Sequence, residues 1–214
     1  MNELELRARL SAPAAPAPPV RGTVVVADPP AMGAPLASDD GVELADAPLV
    51  PAAVLVSFLQ GREGGVLLTK RTAHLNKHAG QVSFPGGRID PEDASPEDAA
   101  LREAREEIGL DARFVSVVGY LPDHVIISGF RVTPVVGFVQ PGFELLLDAT
   151  EVQDTFEVPL DFVFDPANHR IRLRRFGYGQ MEVEVCDIPY GDRNIWGATA
   201  GMLLTLYRLV LEGN

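Results

Sequence analysis

The apolar positions of the chain change period several times between residue 50 and the C-terminus. "AAVLVSFL" (52–59) and "GVLLTKR" (65–71) are short apolar runs rich in branched side chains, separated by the turn signal Gln60 to Gly65. They predict a β-hairpin and the beginning of the core. "RFVSVVGYLP" (113–122), "FRVTPVVGFV" (130–139) and "FELLL" (143–147) read as further strands. "ATEVQDTFEVPLDFVF" (149–164) looks helical at its start, before Pro159. "IRLRRFGYG" (171–179) and "MEVEVCDIPY" (181–190) predict a second hairpin, with Arg172 and Arg174 on one face of an exposed edge strand, and "NIWGATAGMLLTLYRLVLEG" (194–213) a closing helix.

A different period governs residues 96–108. Ala100, Leu101, Ala104 and Ile108 recur on one side at 3.6 residues per turn, while Glu103, Glu106 and Glu107 share another. Ser95 is a good N-cap, Pro96 suits the first helical position, Asp98 stands three residues after the cap, and Gly109 is a typical stop. Strands, one helix, more strands and a terminal helix suit an α+β domain better than alternating βαβ units.

Upstream of this pattern, Leu4, Leu6 and Leu10 could line a short amphipathic helix, followed by "SAPAAPAPPV", whose prolines favour extended backbone. One plausible strand, Thr23 to Val26, precedes turn-rich sequence. The expected organisation is therefore a Pro/Ala-rich arm over 1–47 and a single domain over 48–214.

Composition changes this picture little: 46% hydrophobic and 22% charged residues among 214 describe an ordinary globular chain. Net charge changes it more. At −12 the chain lacks the positive field that nonspecific binding to nucleic acid or an anionic membrane needs. The start, "MNELELRARL", has acids where an export signal needs a basic lead, and the longest apolar runs fall short of the roughly 20 residues that span a bilayer. A cytoplasmic protein whose partner is neither nucleic acid nor a membrane is expected, and a homodimer is compatible with this reading. The single cysteine, Cys186, has no partner for a disulfide or metal clip and reads as a packed strand residue.

The acidic span "FPGGRIDPEDASPEDAALREAREEIGL" (84–110) carries the candidate chemistry. Glu103, Glu106 and Glu107 lie three and four residues apart, so like charges converge and weaken the helix by a few tenths of a kcal/mol per pair, on the order of magnitude known for such pairs. Two things can offset the repulsion: salt bridges to Arg102 and Arg105, or a hard divalent cation on the carboxylate oxygens.

Gly-Gly, an acidic loop, a capped helix and "REAREEIGL" together resemble the Nudix box, the signature of hydrolases that cleave a nucleoside diphosphate linked to another moiety. Arg102, Glu103, Ala104, Glu106, Glu107, Gly109 and Leu110 match its helical half. The loop before the helix is one residue longer than the generic spacing, so that Ala94 stands where an early Glu belongs and Glu92 or Asp93 substitutes. "LLTKRTAHLNKHAGQVSFPGG" (67–87) is similar to the second signature of the coenzyme A diphosphatase branch, matched by Leu67, Leu68, Thr69, Arg71, Thr72, Gly80, Phe84, Pro85, Gly86 and Gly87; Asn76 replaces the branch's second Arg, with Lys77 adjacent.

The resemblance implies a Nudix-type α/β/α sandwich with a central mixed sheet and a metal-binding loop-helix. It implies Mg²⁺ or Mn²⁺ held by Glu103, Glu106 and Glu107, with the Gly87 carbonyl as a further ligand. Arg102 would orient a carboxylate, and the catalytic base would be Glu106 or Glu151, the latter otherwise an acid at a helix N-terminus. Among "KRTAHLNKH", Arg71 is the first candidate for substrate phosphate, followed by Lys77 and Lys70, with the Gly86 backbone beside them. His74 and His78 read as local packing or capping groups rather than a zinc site, and Trp196 as core.

Overall fold

The computed structural model describes residues 10, 49–60, 64–72, 80–126, 129–176 and 181–212. Leu4, Leu6, the strand expected at Thr23 to Val26, His74, Asn76, Lys77 and His78 lie outside the described residues.

The central strand β1 (Val50–Leu59) pairs antiparallel at its end with β2 (Gly65–Arg71), forming the expected hairpin. β3 (Val82–Ser83) pairs with β2, and β4 (Gly86–Arg88) pairs with β1 over Ala52 to Val54. The other neighbour of β1 changes the sheet from antiparallel to mixed. Strands β5 (Val115–Tyr120) and β6 (His124–Ile126) precede β7 (Phe130–Val139), which runs parallel to β1 along its whole length and antiparallel to both β5 and β6. β8 (Val152–Pro159) completes the large sheet against β2. A smaller antiparallel sheet holds β9 (Arg170–Phe176), β10 (Met181–Tyr190) and β11 (Arg193–Trp196), in the order β11-β10-β9.

Strand alternation sends successive β1 side chains to opposite faces, and each face has its own helix. Helix α1 (Pro96–Ile108) covers Ala53, Leu55, Val135 and Val139 with Ala99, Ala100, Ala104 and Ile108. On the other face a single turn, α2 (Leu160–Val163), and the terminal helix α3 (Gly197–Tyr207) cover Val56, Phe58, Val132 and Val136, with Met202, Leu203 and Leu206 buried. The result is the expected α/β/α sandwich around a mixed sheet. No helix among the described residues is long and apolar enough to cross a membrane.

Helix α1 has the bounds its sequence predicts. Ser95 accepts a hydrogen bond from the Asp98 amide at 3.1 Å, and Gly109, at φ 71°, closes the helix by donating to the carbonyls of Ala104 and Arg105. Ser95→Ala should cost about 1 kcal/mol. Denaturant unfolding checks this, and an unchanged midpoint would count against the cap.

Three expectations are corrected. The helical start expected in residues 149–164 is not formed: residues 152–159 are strand β8, because their backbone pairs with β2 from Gly65↔Pro159 to Arg71↔Val152. "FELLL" is not a strand: the Leu146 amide donates to Ile108 O and the Asp148 amide to Glu107 O, both at 2.9 Å. These bonds satisfy carbonyls that the end of α1 leaves open. Finally, Arg193–Trp196 is strand, so the closing helix begins only at Gly197. Cys186 is buried on β10 and its thiol is pushed up to about 11 by burial, as suits a packing residue.

Candidate active site

The Gly86–Gly87 backbone is pinned between β1 and the acidic face of α1. Gly86 has φ 154°, and a Cβ there would meet Ala53 O at 2.4 Å and Val54 Cα at 2.6 Å. A Cβ on Gly87 would stand 2.5 Å from the carboxylate carbon of Glu103. The two glycines therefore let the strand pass directly under the helix's acids.

Glu107 is the most constrained of these acids. It is 4% exposed, and its Oε2 accepts the Gly86 amide at 3.2 Å. Arg71 approaches its Oε1 at 3.6 Å. Burial pushes its pKa up to about 7, against the opposing pull of the Gly86 amide and Arg71. The Glu103 carboxyl is also raised, first by burial, with Glu106 and Glu151 adding repulsion against the pull of Arg102. Glu107, whose residue spacing set it apart from the core face, is thus a core residue by position. The reason is that β4 and the end of β2 close over that side of the helix.

Arg102 organises the loop before α1. Its Nε and Nη2 donate to the two Asp93 oxygens at 3.1 and 2.9 Å, its Nη2 also to Arg88 O at 3.1 Å, and its Nη1 to Glu103 at 2.9 Å and Glu106 at 3.2 Å. The fork on Asp93 holds that carboxyl below its usual range. Asp93 therefore answers the spacing question in the lengthened loop, while Glu92 is exposed.

A second group of site residues arrives from the end of β2. Arg71 lies 3.7 Å from Glu151 as well as beside Glu107. Thr72 fixes the partner loop by donating its amide to Glu151 O at 2.9 Å and its hydroxyl to Thr150 O at 3.1 Å. Glu151 is not at a helix N-terminus; it precedes β8 and faces the cluster. Glu106 is brought no closer than Arg102, with a side chain 62% exposed. Lys70 is paired in register with Asp154 and is absent from the lining of the pocket described next.

That pocket, of about 270 Å³, opens beside Arg71 and Gly86 on the face of the sheet away from α1. Phe84, Phe130, Ile126, Trp196 and Met202 give it largely apolar walls. Trp196, expected as core, is half-buried and lines this pocket because β11 carries it past β3 before α3 begins. Sequence spacing could not signal this wall, since its residues come from four separate elements and the link between β3 and β4.

Among the described residues no three acidic or imidazole side chains converge into a ready-made metal cage. Glu103 and Glu106 are turned onto Arg102, and Glu107 onto Gly86 and Arg71. The donor set nevertheless fits a hard divalent cation: every donor is oxygen, burial raises the proton affinity of Glu103 and Glu107 where no cation offsets it, and their side-chain partners are exchangeable Arg contacts.

Curated relatives, both called uncharacterized Nudix hydrolase NudL, occur in Cronobacter sakazakii (strain ATCC BAA-894) and Enterobacter sp. (strain 638). They are 43% and 40% identical to this chain over 156 residues, which is 72% of this chain and 80% of theirs. The crystal structure of DR0079 from Deinococcus radiodurans is similar at a TM-score of 0.47 and 14% identity, covering 74% of this chain and 83% of that one. The NUDIX domain family model matches residues 49–176, a span that holds the two glycines, the acidic helix, Arg71 and Glu151. With its crowded carboxylates set against a Gly-Gly strand, the chain belongs to the Nudix hydrolase family, enzymes that act on the pyrophosphate bond of nucleoside diphosphate derivatives.

Proposed function

We propose that the enzyme hydrolyses the diphosphate bond of coenzyme A or acyl-coenzyme A, yielding adenosine 3′,5′-bisphosphate and 4′-phosphopantetheine or its acyl form. The observation that carries this reading is the course of the Leu67–Gly87 signature. Its Leu-Leu-Thr is buried in β2, where Thr69 donates its hydroxyl to Ser83 O at 3.1 Å. Its Arg71 emerges beside the carboxylates, and its Phe84 and Gly86 line the pocket. Among the described residues of that signature, Arg71 and Gly86 touch both the acidic cluster and the apolar pocket.

Glu103, Glu106, Glu107 and the Gly87 carbonyl are the proposed ligands of Mg²⁺ or Mn²⁺. Held there, the ion would neutralise charge on the diphosphate and lower the pKa of a water. Arg71, released from Glu107 and Glu151, grips a substrate phosphate oxygen through its fork. Glu151 is favoured over Glu106 as the group that takes the water's proton, because it faces Arg71 and Glu107 whereas Glu106 leans outward onto Arg102.

Asn76 supports a second reading, the same chemistry on NADH, ADP-ribose or a nucleoside triphosphate. Mass spectrometry of products from coenzyme A, acyl-coenzyme A, NADH and ADP-ribose, each with Mg²⁺ or Mn²⁺, separates the two. Adenosine 3′,5′-bisphosphate should appear from the coenzyme A tubes. Cleavage of the other nucleotides alone would overturn the substrate, and no cleavage anywhere would leave a nucleotide-binding module.

A further inference from the structure

Arg88 follows the two site glycines directly, yet its side chain serves neither the acidic cluster nor the core. Its carbonyl is anchored by Arg102 Nη2 at 3.1 Å, so its backbone is fixed by the same residue that organises the carboxylates. Its register partner on β1 is Ala52, which packs on the α3 side of the sheet, so Arg88 points to the pocket side and away from α1. There its guanidinium lies over the Phe130 ring, 5.5 Å from the centroid. Phe130 is a wall of the pocket.

One guanidinium group, that of Arg71, is therefore in the pocket lining beside Glu107, and a second, that of Arg88, lies against the wall residue Phe130 without lining the pocket itself. They differ in what already holds them. Arg71 is close to two carboxylates, whereas among the described residues Arg88 has no carboxylate partner, although the chain carries 30 acids against 18 Lys and Arg. An exposed Arg stacked on an aromatic ring keeps its in-plane N–H donors outward and its orientation restricted, a suitable state for receiving a phosphate.

Resting on the coenzyme A reading, we infer that Arg88 is a specificity residue that binds the phosphomonoester on the ribose. The apolar pocket, walled by Phe130 and Trp196, takes the base. The diphosphate lies towards Arg71 and the acidic helix, and the ribose remains at the rim, where its 3′-phosphate meets Arg88. A nucleotide without that phosphate forfeits a charge-assisted, two-pronged contact worth about 10- to 100-fold in affinity.

The test compares kcat/KM for coenzyme A and dephospho-coenzyme A in the full-length enzyme, in Arg88→Met and in Arg88→Lys. Methionine keeps a flexible chain over Phe130 without charge, and lysine restores the charge without the fork. The wild-type enzyme should prefer coenzyme A by at least about tenfold. The preference should collapse towards unity in Arg88→Met, mainly through KM, and recover in part in Arg88→Lys. The lone Trp196 gives a second readout that needs no turnover: its emission, titrated with adenosine 3′,5′-bisphosphate and with 5′-AMP, should show the same loss of discrimination. A wild-type enzyme that cleaves both substrates equally, or an Arg88→Met enzyme with the wild-type ratio, overturns the assignment while the coenzyme A reading stands. Failure of the wild-type enzyme to cleave coenzyme A, with another nucleotide cleaved, overturns that reading and the role of Arg88 with it.

Discussion

Glu107→Gln should abolish turnover while leaving the protein folded. Loss of a partner one step removed from a metal typically costs roughly 10- to 100-fold, so loss of a proposed direct ligand should cost on the order of 10³-fold or more. Stability should move the other way. A Glu with an unfolded pKa near 4.5 and a folded value of about 7 holds its proton more tightly when folded. Between those two values the folded state binds more protons than the unfolded state, so stability falls as pH rises across the window. The fall amounts to about 3 kcal/mol for a shift of this size. Denaturant unfolding in EDTA at pH 5 and pH 8 should show that slope in the wild-type protein and a much flatter one in Glu107→Gln. At pH 8 the variant should be the more stable of the two, and Mn²⁺ should raise the wild type selectively. Full activity in Glu107→Gln would remove this carboxylate from the proposed metal site.

Gly86→Ala should damage both stability and activity. The new methyl would be within 2.4 Å of Ala53 O and 2.6 Å of Val54 Cα, and neither backbone atom can swing aside. The positive φ adds strain of its own. A cost of about 3 kcal/mol is expected, together with roughly 100-fold lower kcat/KM as the amide held by Glu107 shifts. Gly87→Ala is the informative contrast. Its methyl meets the Glu103 carboxylate, the far end of a rotatable side chain, so the fold should survive while the proposed ligand is displaced. Equal unfolding midpoints for the two variants would show that the tight approach of β4 to β1 has been overstated.

Local signals in the sequence were the ones the structure repeats. Ser95, Pro96 and Gly109 determine where α1 starts and stops through contacts within a few residues, and the hairpins follow from runs flanking short turns. What the sequence hid depends on distant partners. Residues 152–159 show no clean alternation, because their strand character comes from pairing with β2 some eighty positions earlier. The leucines at 145 and 147 belong to an irregular segment that has the end of α1 to bond with. At the site, the helical spacing of Glu103 and Glu107 was legible and so was the exceptional length of the loop, but only geometry distinguishes Asp93 from Glu92 as the partner of Arg102. Arg88 gave no signal because it falls just past the last residue of the Leu67–Gly87 signature, at a position that neither quoted pattern specifies.

The alternation of β1 has an evolutionary corollary. Its odd and even side chains answer to different helices, so the acids of α1 and the aromatic walls at Phe130 and Trp196 are supported by separate sets of packing contacts. Substitution on one side can accumulate without repacking the other. With the pocket and the acids in the roles proposed above, a lineage built on this sheet could exchange one nucleotide for another by drift in the walls while inheriting the acidic helix unchanged, which would make the strand a boundary between a variable trait and a fixed one.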